Sequence, residues 1–151
     1  MATYVSTPFR LDALLGAHRA DLEFHGVDQA VPSYEGRVFL DNPDATVDTA
    51  KDEASGYLGS FFVFGKVECW GEEGHCDDPV ARRKFDLRRN PTRFAKVRLT
   101  VPEARLERVL GQGGDEHTIS VVAVLPNRPD YADFDPAQVL TFQRLSIVAY
   151  A

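Results

Sequence analysis

The alternation of apolar and polar positions along this chain is typical of β-strands. Segments 20–24 and 94–101 alternate residue by residue, which is the period of a strand with one buried face. Segment 57–64 ends in four successive apolar residues, and this uninterrupted run predicts a strand covered on both faces. Strands are predicted at 20–24, 34–40, 57–64, 94–101, 118–125 and 139–150, with one weak strand within 45–55.

A single helix is predicted at 102–110. Pro102 suits the first turn, Leu106 and Leu110 follow at helical spacing, and Gly111 comes directly after the segment. About seven strands separated by turn signals, with one short helix, predict an all-β fold, an antiparallel β-sandwich or barrel. The length of 151 residues indicates one domain spanning 1–151. Residues 1–19 are then an N-terminal extension.

The segment 65–90 interrupts this pattern. It has no clean apolar period and is rich in charged residues and glycine. Ordered loops longer than about 12–15 residues are uncommon and often carry function. We therefore expect a long functional loop at this place.

Composition narrows the classes of protein. Apolar residues make up 44% and charged residues 26%, as in ordinary globular domains, and no apolar run approaches a membrane span. The start of the chain has no secretory signal, so we expect a cytoplasmic protein without a membrane partner. The formal net charge of −6 argues against nucleic-acid binding. The basic cluster at 82–84 and 88–89 is interpreted as a solvated loop.

Four segments carry a family resemblance: Arg-Val-Phe-Leu at 37–40, Gly-Ser-Phe-Phe-Val-Phe-Gly at 59–65, the strand and helix from 94, and Ile-Ser-Val-Val-Ala-Val at 119–124. Their order and spacing resemble the C-terminal β-sandwich domain of type-3 copper proteins, the molluscan haemocyanins and the polyphenol oxidases and tyrosinases. The resemblance covers residues 20–148. The catalytic domain of those proteins, with its six histidines, has no counterpart among the four histidines here.

The resemblance implies a free-standing accessory domain, similar to the caddie proteins that load copper into bacterial tyrosinases and shield their active site. Phe64 occupies the position of the apolar side chain that covers the copper pair, and Tyr57 is a second plug candidate because a tyrosine can mimic a bound phenol. Phe62 points to the same face as Phe64 in a regular strand. Val67 and Trp70 are further candidates for the partner interface. The alternative is that Phe64 belongs to the core.

Cys69, His75 and Cys76 lie in the loop after Phe64. Thiolate and imidazole suit Cu(I), so these three residues are candidate ligands for transient copper. The alternatives are a disulfide or free thiols, and, at an unusual spacing that leaves one ligand missing, structural zinc. The isolated His18, His25 and His117 are interpreted as solvated.

Three classes of function follow. The first is a non-enzymatic copper chaperone that shields a separate type-3 copper oxidase of the tyrosinase or o-aminophenol oxidase class. The second is a structural β-sandwich subunit that handles no metal. The third is a small enzyme using Cys69 or Cys76 with His75, for which the sequence has no supporting oxyanion or cofactor motif.

Overall fold

The computed structural model describes residues 2–10, 16–67, 71–73, 76–77, 85, 92–111 and 116–151. Short helices accompany the strands, and a 3-10 turn lies at Pro129–Tyr131. The strands are β1 (Tyr4–Val5), β2 (Arg19–Asp28), β3 (Tyr34–Leu40), β4 (Tyr57–Val63), β5 (Arg93–Pro102), β6 (Ile119–Val124) and β7 (Arg144–Tyr150). The helices are α1 (Glu103–Gly111) and α2 (Pro136–Val139).

The strands form two antiparallel sheets. Sheet I has the order β1-β6-β3-β4, and sheet II has the order β5-β2-β7. Side chains from both sheets contribute to one hydrophobic cluster between them, including Phe24 from sheet II and Val121 from sheet I. The all-β sandwich predicted from the sequence is confirmed.

Alternation along the strands explains which side chains fill the core. In β2, Ala20, Leu22 and Phe24 point inward and are at most 2% exposed. In β4, Phe61 and Val63 point inward, and the Phe61 ring lies 4.7 Å from that of Phe24. These contacts join the two sheets.

Among the described residues, the outer face of sheet I is covered at one end. Residues 41–56 fold over it and place Ala45 against Phe39 and Val122, which makes a second small cluster. Tyr57 and Val124 pack at the border of this cluster. The weak strand expected within 45–55 is absent, since this fully described segment contains turns and bends.

The two chain ends differ from the sequence prediction. Tyr4 and Val5 pair with Val121 and Ser120, so part of the N-terminal extension is a strand of sheet I. The last strand begins at Arg144 rather than at 139, because Val139 is the last residue of α2 and residues 140–143 form an irregular connection. In the described part of the chain, no helix is long and apolar enough to cross a membrane.

Candidate functional site

The outward-facing phenylalanines at the end of β4 form the candidate site. Phe62 is 62% exposed and Phe64 is 78% exposed, whereas Phe61 and Val63 between and beside them are buried. The expectation of a strand covered on both faces is therefore wrong for these residues. Sheet I ends at β4, and no described residue covers its outer face at this point. We call Phe62 and Phe64 the aromatic stripe.

The chain directly after the aromatic stripe is held in place by backbone hydrogen bonds. The amide of Gly65 donates to Ser33 Oγ at 3.1 Å, and the amide of Lys66 donates to the Gln29 carbonyl at 2.8 Å. A Cβ at Gly65 would overlap the backbone of Val31 and Pro32, so only glycine allows this approach. Phe64 is thus exposed at a fixed position.

Val67, a predicted interface residue, is partly buried and lies just beyond. Its φ is 64°, a left-handed conformation that is unusual for a β-branched residue. Its amide donates to the Val31 carbonyl at 3.0 Å. The hydrogen bond holds the backbone of Val67 beside that of Val31.

Tyr57, the second plug candidate, has a different environment at the opposite end of β4. Its hydroxyl lies 2.7 Å from Ser60 Oγ, and its ring packs 5.5 Å from that of Phe39. The guanidinium of Arg105 lies 5.8 Å from the centre of the Tyr57 ring. The structure places Tyr57 in a polar network on sheet I, apart from the aromatic stripe.

Glu35 is the centre of that network. Its Oε1 accepts hydrogen bonds from Lys51 Nζ at 2.5 Å and from Ser60 Oγ at 2.7 Å, and its Oε2 accepts from Arg37 Nε at 3.0 Å. Burial opposes ionisation of Glu35, but the hydrogen bonds from Lys51, Ser60 and Arg37 outweigh it and lower the pKa to about 2. Glu35 faces Phe62 across the β3–β4 ladder, so charged groups border the aromatic stripe.

The predicted copper ligands are only partly described. Cys69 and His75 lie outside the described residues, as does the interface candidate Trp70. Cys76 is in a disulfide bond. A disulfide sulfur is not a thiolate, so in this state Cys76 does not offer the ligand that Cu(I) prefers. Among the described residues, no group of three or more His, Cys, Asp and Glu side chains is placed to hold a metal ion.

The remaining histidines are not simply solvated. His117 is 4% exposed, and its Nδ1 lies 2.6 Å from Asp41 Oδ2. The Nε2 atom of His25 lies 3.2 Å from Ser146 Oγ. His18 is exposed as expected, but its Nδ1 lies 2.9 Å from Glu103 Oε1. The solvated interpretation was wrong for His117, because residue spacing does not reveal a partner 76 positions away.

Sequence reasoning also missed two buried acids on the outer face of sheet II. Asp21 is fully buried and Glu23 is 5% exposed. Lys96 Nζ lies 2.8 Å from Glu23 Oε2, and the hydrogen bond from Lys96 is the main cause that lowers the pKa of Glu23. Arg98 bridges Asp21 and Glu23 at 3.4 and 3.0 Å. The sequence did contain a signal for these ion pairs, because acidic residues alternate along segment 20–24 and basic residues alternate along segment 94–101.

Comparison of the chain with protein-family models, with curated protein sequences and with solved structures gave no match. The resemblance to the C-terminal domain of type-3 copper proteins therefore rests on the short sequence segments alone. What the geometry defines is a β-sandwich with a fixed, exposed aromatic stripe at one edge.

Proposed function

We propose that this protein is a copper chaperone that delivers copper to a separate type-3 copper oxidase and shields its active site. The exposure of Phe64 carries the proposal, since 78% of this large apolar side chain faces solvent at a fixed place. Exposed apolar surface with a polar border is typical of a protein-binding site. The oxidase belongs to the tyrosinase or o-aminophenol oxidase class, and the chaperone itself is not an enzyme.

The surroundings of the stripe support docking of a partner. Aromatic side chains dominate the centres of protein interfaces, and charged residues are typical of the rim. Phe62 and Phe64 provide the aromatic centre, and Glu35 with its partner Lys51 provides a charged border. A phenylalanine that enters the copper pocket excludes water and phenolic substrate, and it carries no group that copper oxidises readily.

The copper-delivery half of the proposal depends on Cys69, His75 and Cys76. Because Cys76 is in a disulfide bond, loading requires an external dithiol. The dithiol supplies two electrons and two protons, the disulfide becomes two thiols, and these release protons when they bind Cu(I). Copper binding is therefore coupled to reduction of the loop.

The disulfide gives the second candidate function its support. A β-sandwich subunit that docks through the aromatic stripe and handles no metal needs no thiolates, and a disulfide would serve only to constrain its loop. The same disulfide weighs against a cysteine enzyme, because an oxidised Cys76 is not a nucleophile.

The docking test uses a copper-free type-3 oxidase encoded in the same genome. We expect Phe64→Ala and Phe62→Ala each to weaken the complex by about tenfold, or about 1–2 kcal/mol, and, in a parallel assay with the copper-loaded oxidase, to relieve inhibition of catechol oxidation. The matched control is Phe134→Ala, which removes an aromatic side chain that is 37% exposed elsewhere on the surface. Unchanged affinity in the Phe62→Ala/Phe64→Ala double variant contradicts the docking surface.

The copper test separates the two candidate functions. We expect the dithiol-reduced protein to withdraw Cu(I) from a chelator, and the oxidised protein and the Cys69→Ser/Cys76→Ser variant to leave the chelator loaded. Docking should survive in that variant. If the reduced wild type and the variant bind Cu(I) equally weakly while docking persists, the metal-free subunit is the correct function.

A further inference from the structure

A cleft lies on the opposite side of the sandwich from the aromatic stripe, between the edge strands β1 and β7. It has a volume of about 370 Å³, which is in the range of small-molecule sites. β1 is only two residues long; beyond it, the Ser6 amide donates to the Ile119 carbonyl, and the chain next pairs with sheet I where Phe9 bridges to His117. Among the described residues, this short edge leaves the cleft open.

The walls of the cleft are apolar. Leu145 and Ile147 line it from β7, and their strand partners Phe24 and Leu22 belong to the core, so both side chains point inward. Leu145 and Ile147 are nevertheless only partly buried. Phe9 lines the opposite side. A flat apolar group would complete the packing that β1 is too short to provide.

Polar groups also line the cleft. Tyr4 lines it, and burial raises the pKa of its hydroxyl, which therefore stays a hydrogen-bond donor at neutral pH. In the described part of the chain, the Tyr4 hydroxyl makes no hydrogen bond. The hydroxyl of Ser6 is already used, because it donates to the Thr7 carbonyl and accepts from the Ile119 amide. Tyr4 is thus an available donor, and the hydroxyl of Thr7, which also lines the cleft, is a second one.

The charged side chain in the cleft indicates the charge of the ligand. The described residues that line the cleft include one charged side chain, Arg10, and no aspartate or glutamate, although the chain carries an excess of acids. Arg10 has an interaction partner within the chain, but a guanidinium has five N–H donors, so Arg10 can also bind a carboxylate. Charge complementarity favours a carboxylate.

We infer that this cleft binds a small aromatic carboxylate, with its ring between Phe9 and the β7 side chains and its carboxylate on Arg10 and the Tyr4 hydroxyl. The site is independent of the proposed docking function. It uses neither the aromatic stripe nor the cysteine loop, so either proposal can fail without the other.

The test is a titration of the purified protein with benzoate, followed by the methyl NMR signals of Leu145 and Ile147. We expect both signals to shift, with a dissociation constant on the order of 1 mM or below. Benzyl alcohol has the same ring without the charge, and it should bind at least about tenfold more weakly. Absence of methyl shifts up to about 10 mM benzoate, or equal binding of benzyl alcohol, overturns the inference.

Two arginine variants test whether Arg10 is the residue that binds the benzoate carboxylate. Arg10→Gln should weaken benzoate binding about tenfold and leave benzyl alcohol binding unchanged. The matched control is Arg144→Gln, because Arg144 is exposed on β7 and pairs with His25 on the outer face of sheet II. Equal effects of the two variants on benzoate binding would show general charge attraction and overturn the assignment of Arg10. Tyr4→Phe should weaken benzoate binding by a smaller factor.

Discussion

The two ends of β4 both carry outward-facing aromatic residues, but their surroundings differ. At the first end, Tyr57 packs beside Phe39 under the cover of residues 41–56 and shares a hydrogen bond with Ser60. At the other end, Phe62 and Phe64 face solvent. Thus β4 and the residue that follows it carry one aromatic side chain that packs within the fold and two that are exposed.

The difference shows that alternation alone does not determine what an outward-facing residue does. Strand period decides which side chains leave the core. Whether such a side chain is then structural depends on what covers the sheet at that place. Segment 41–56 covers only one end of sheet I, and Ala45, 1% exposed, is its contact with Phe39.

The largest expected effect is the difference in stability between substitutions at inward-facing and at outward-facing phenylalanines in and directly after β4. Phe61→Ala should lower the free energy of unfolding by about 3–5 kcal/mol, because the ring is 4% exposed and packs against Phe24. Phe62→Ala and Phe64→Ala should each change it by less than about 0.5 kcal/mol. Urea denaturation of the three variants measures this. If Phe64→Ala lowered the free energy of unfolding by several kcal/mol, Phe64 would be a core residue and its assignment as the plug would be wrong.

The second effect tests the polar network around Glu35, which reaches from Tyr57 and Ser60 to the border of the aromatic stripe. The folded-state pKa of Glu35 is about 2, below its ordinary value of 4.5, so the fold favours the ionised carboxylate. The resulting stabilisation is fully present above pH 4.5 and is lost as the pH falls towards 2. We expect Glu35→Gln to cost about 1–3 kcal/mol at pH 7, and this cost should shrink on acidification.

Denaturation at a series of pH values measures the Glu35 effect. The matched control is Glu107→Gln, since Glu107 is an exposed carboxyl on α1 without an ion pair to another described residue. Its substitution should change stability little at every pH. A cost of Glu35→Gln that stays constant between neutral and acidic pH would mean that the network does not depend on the charge of Glu35.

Sequence pattern predicted the strands well because burial of one face leaves a local, periodic signal. The segments 34–40 and 94–101 correspond closely to β3 (Tyr34–Leu40) and β5 (Arg93–Pro102). The helix predicted at 102–110 is α1. The prediction that the last strand starts at 139 was wrong, and the sequence contained a local signal for the helix found there. Asp135 caps α2 by accepting a hydrogen bond from the Ala137 amide, and Pro136 occupies the first position of this helix.

Other features could not be read from the sequence because they depend on contacts between distant segments. The burial of His117 depends on Asp41, and the exposure of Phe62 depends on where segment 41–56 stops. Phe62 and Phe64 were predicted to share one face of the strand; the structure shows that both are exposed, which the sequence did not predict. The identity of the copper ligands and of the partner stays a prediction.

The smallest expected effect distinguishes a structural Tyr57 from a tyrosine that mimics a phenol in a partner's pocket. Tyr57→Phe keeps the ring and removes the hydroxyl that lies 2.7 Å from Ser60 Oγ. If Tyr57 is structural, the free energy of unfolding falls by about 0.5–1.5 kcal/mol and affinity for the oxidase is unchanged. Tyr150→Phe, at an exposed tyrosine of β7, is the matched control and should change neither quantity. The opposite result, full stability with weakened docking, would move the plug from the aromatic stripe to Tyr57, because only a hydroxyl that reaches the partner can affect binding without affecting folding.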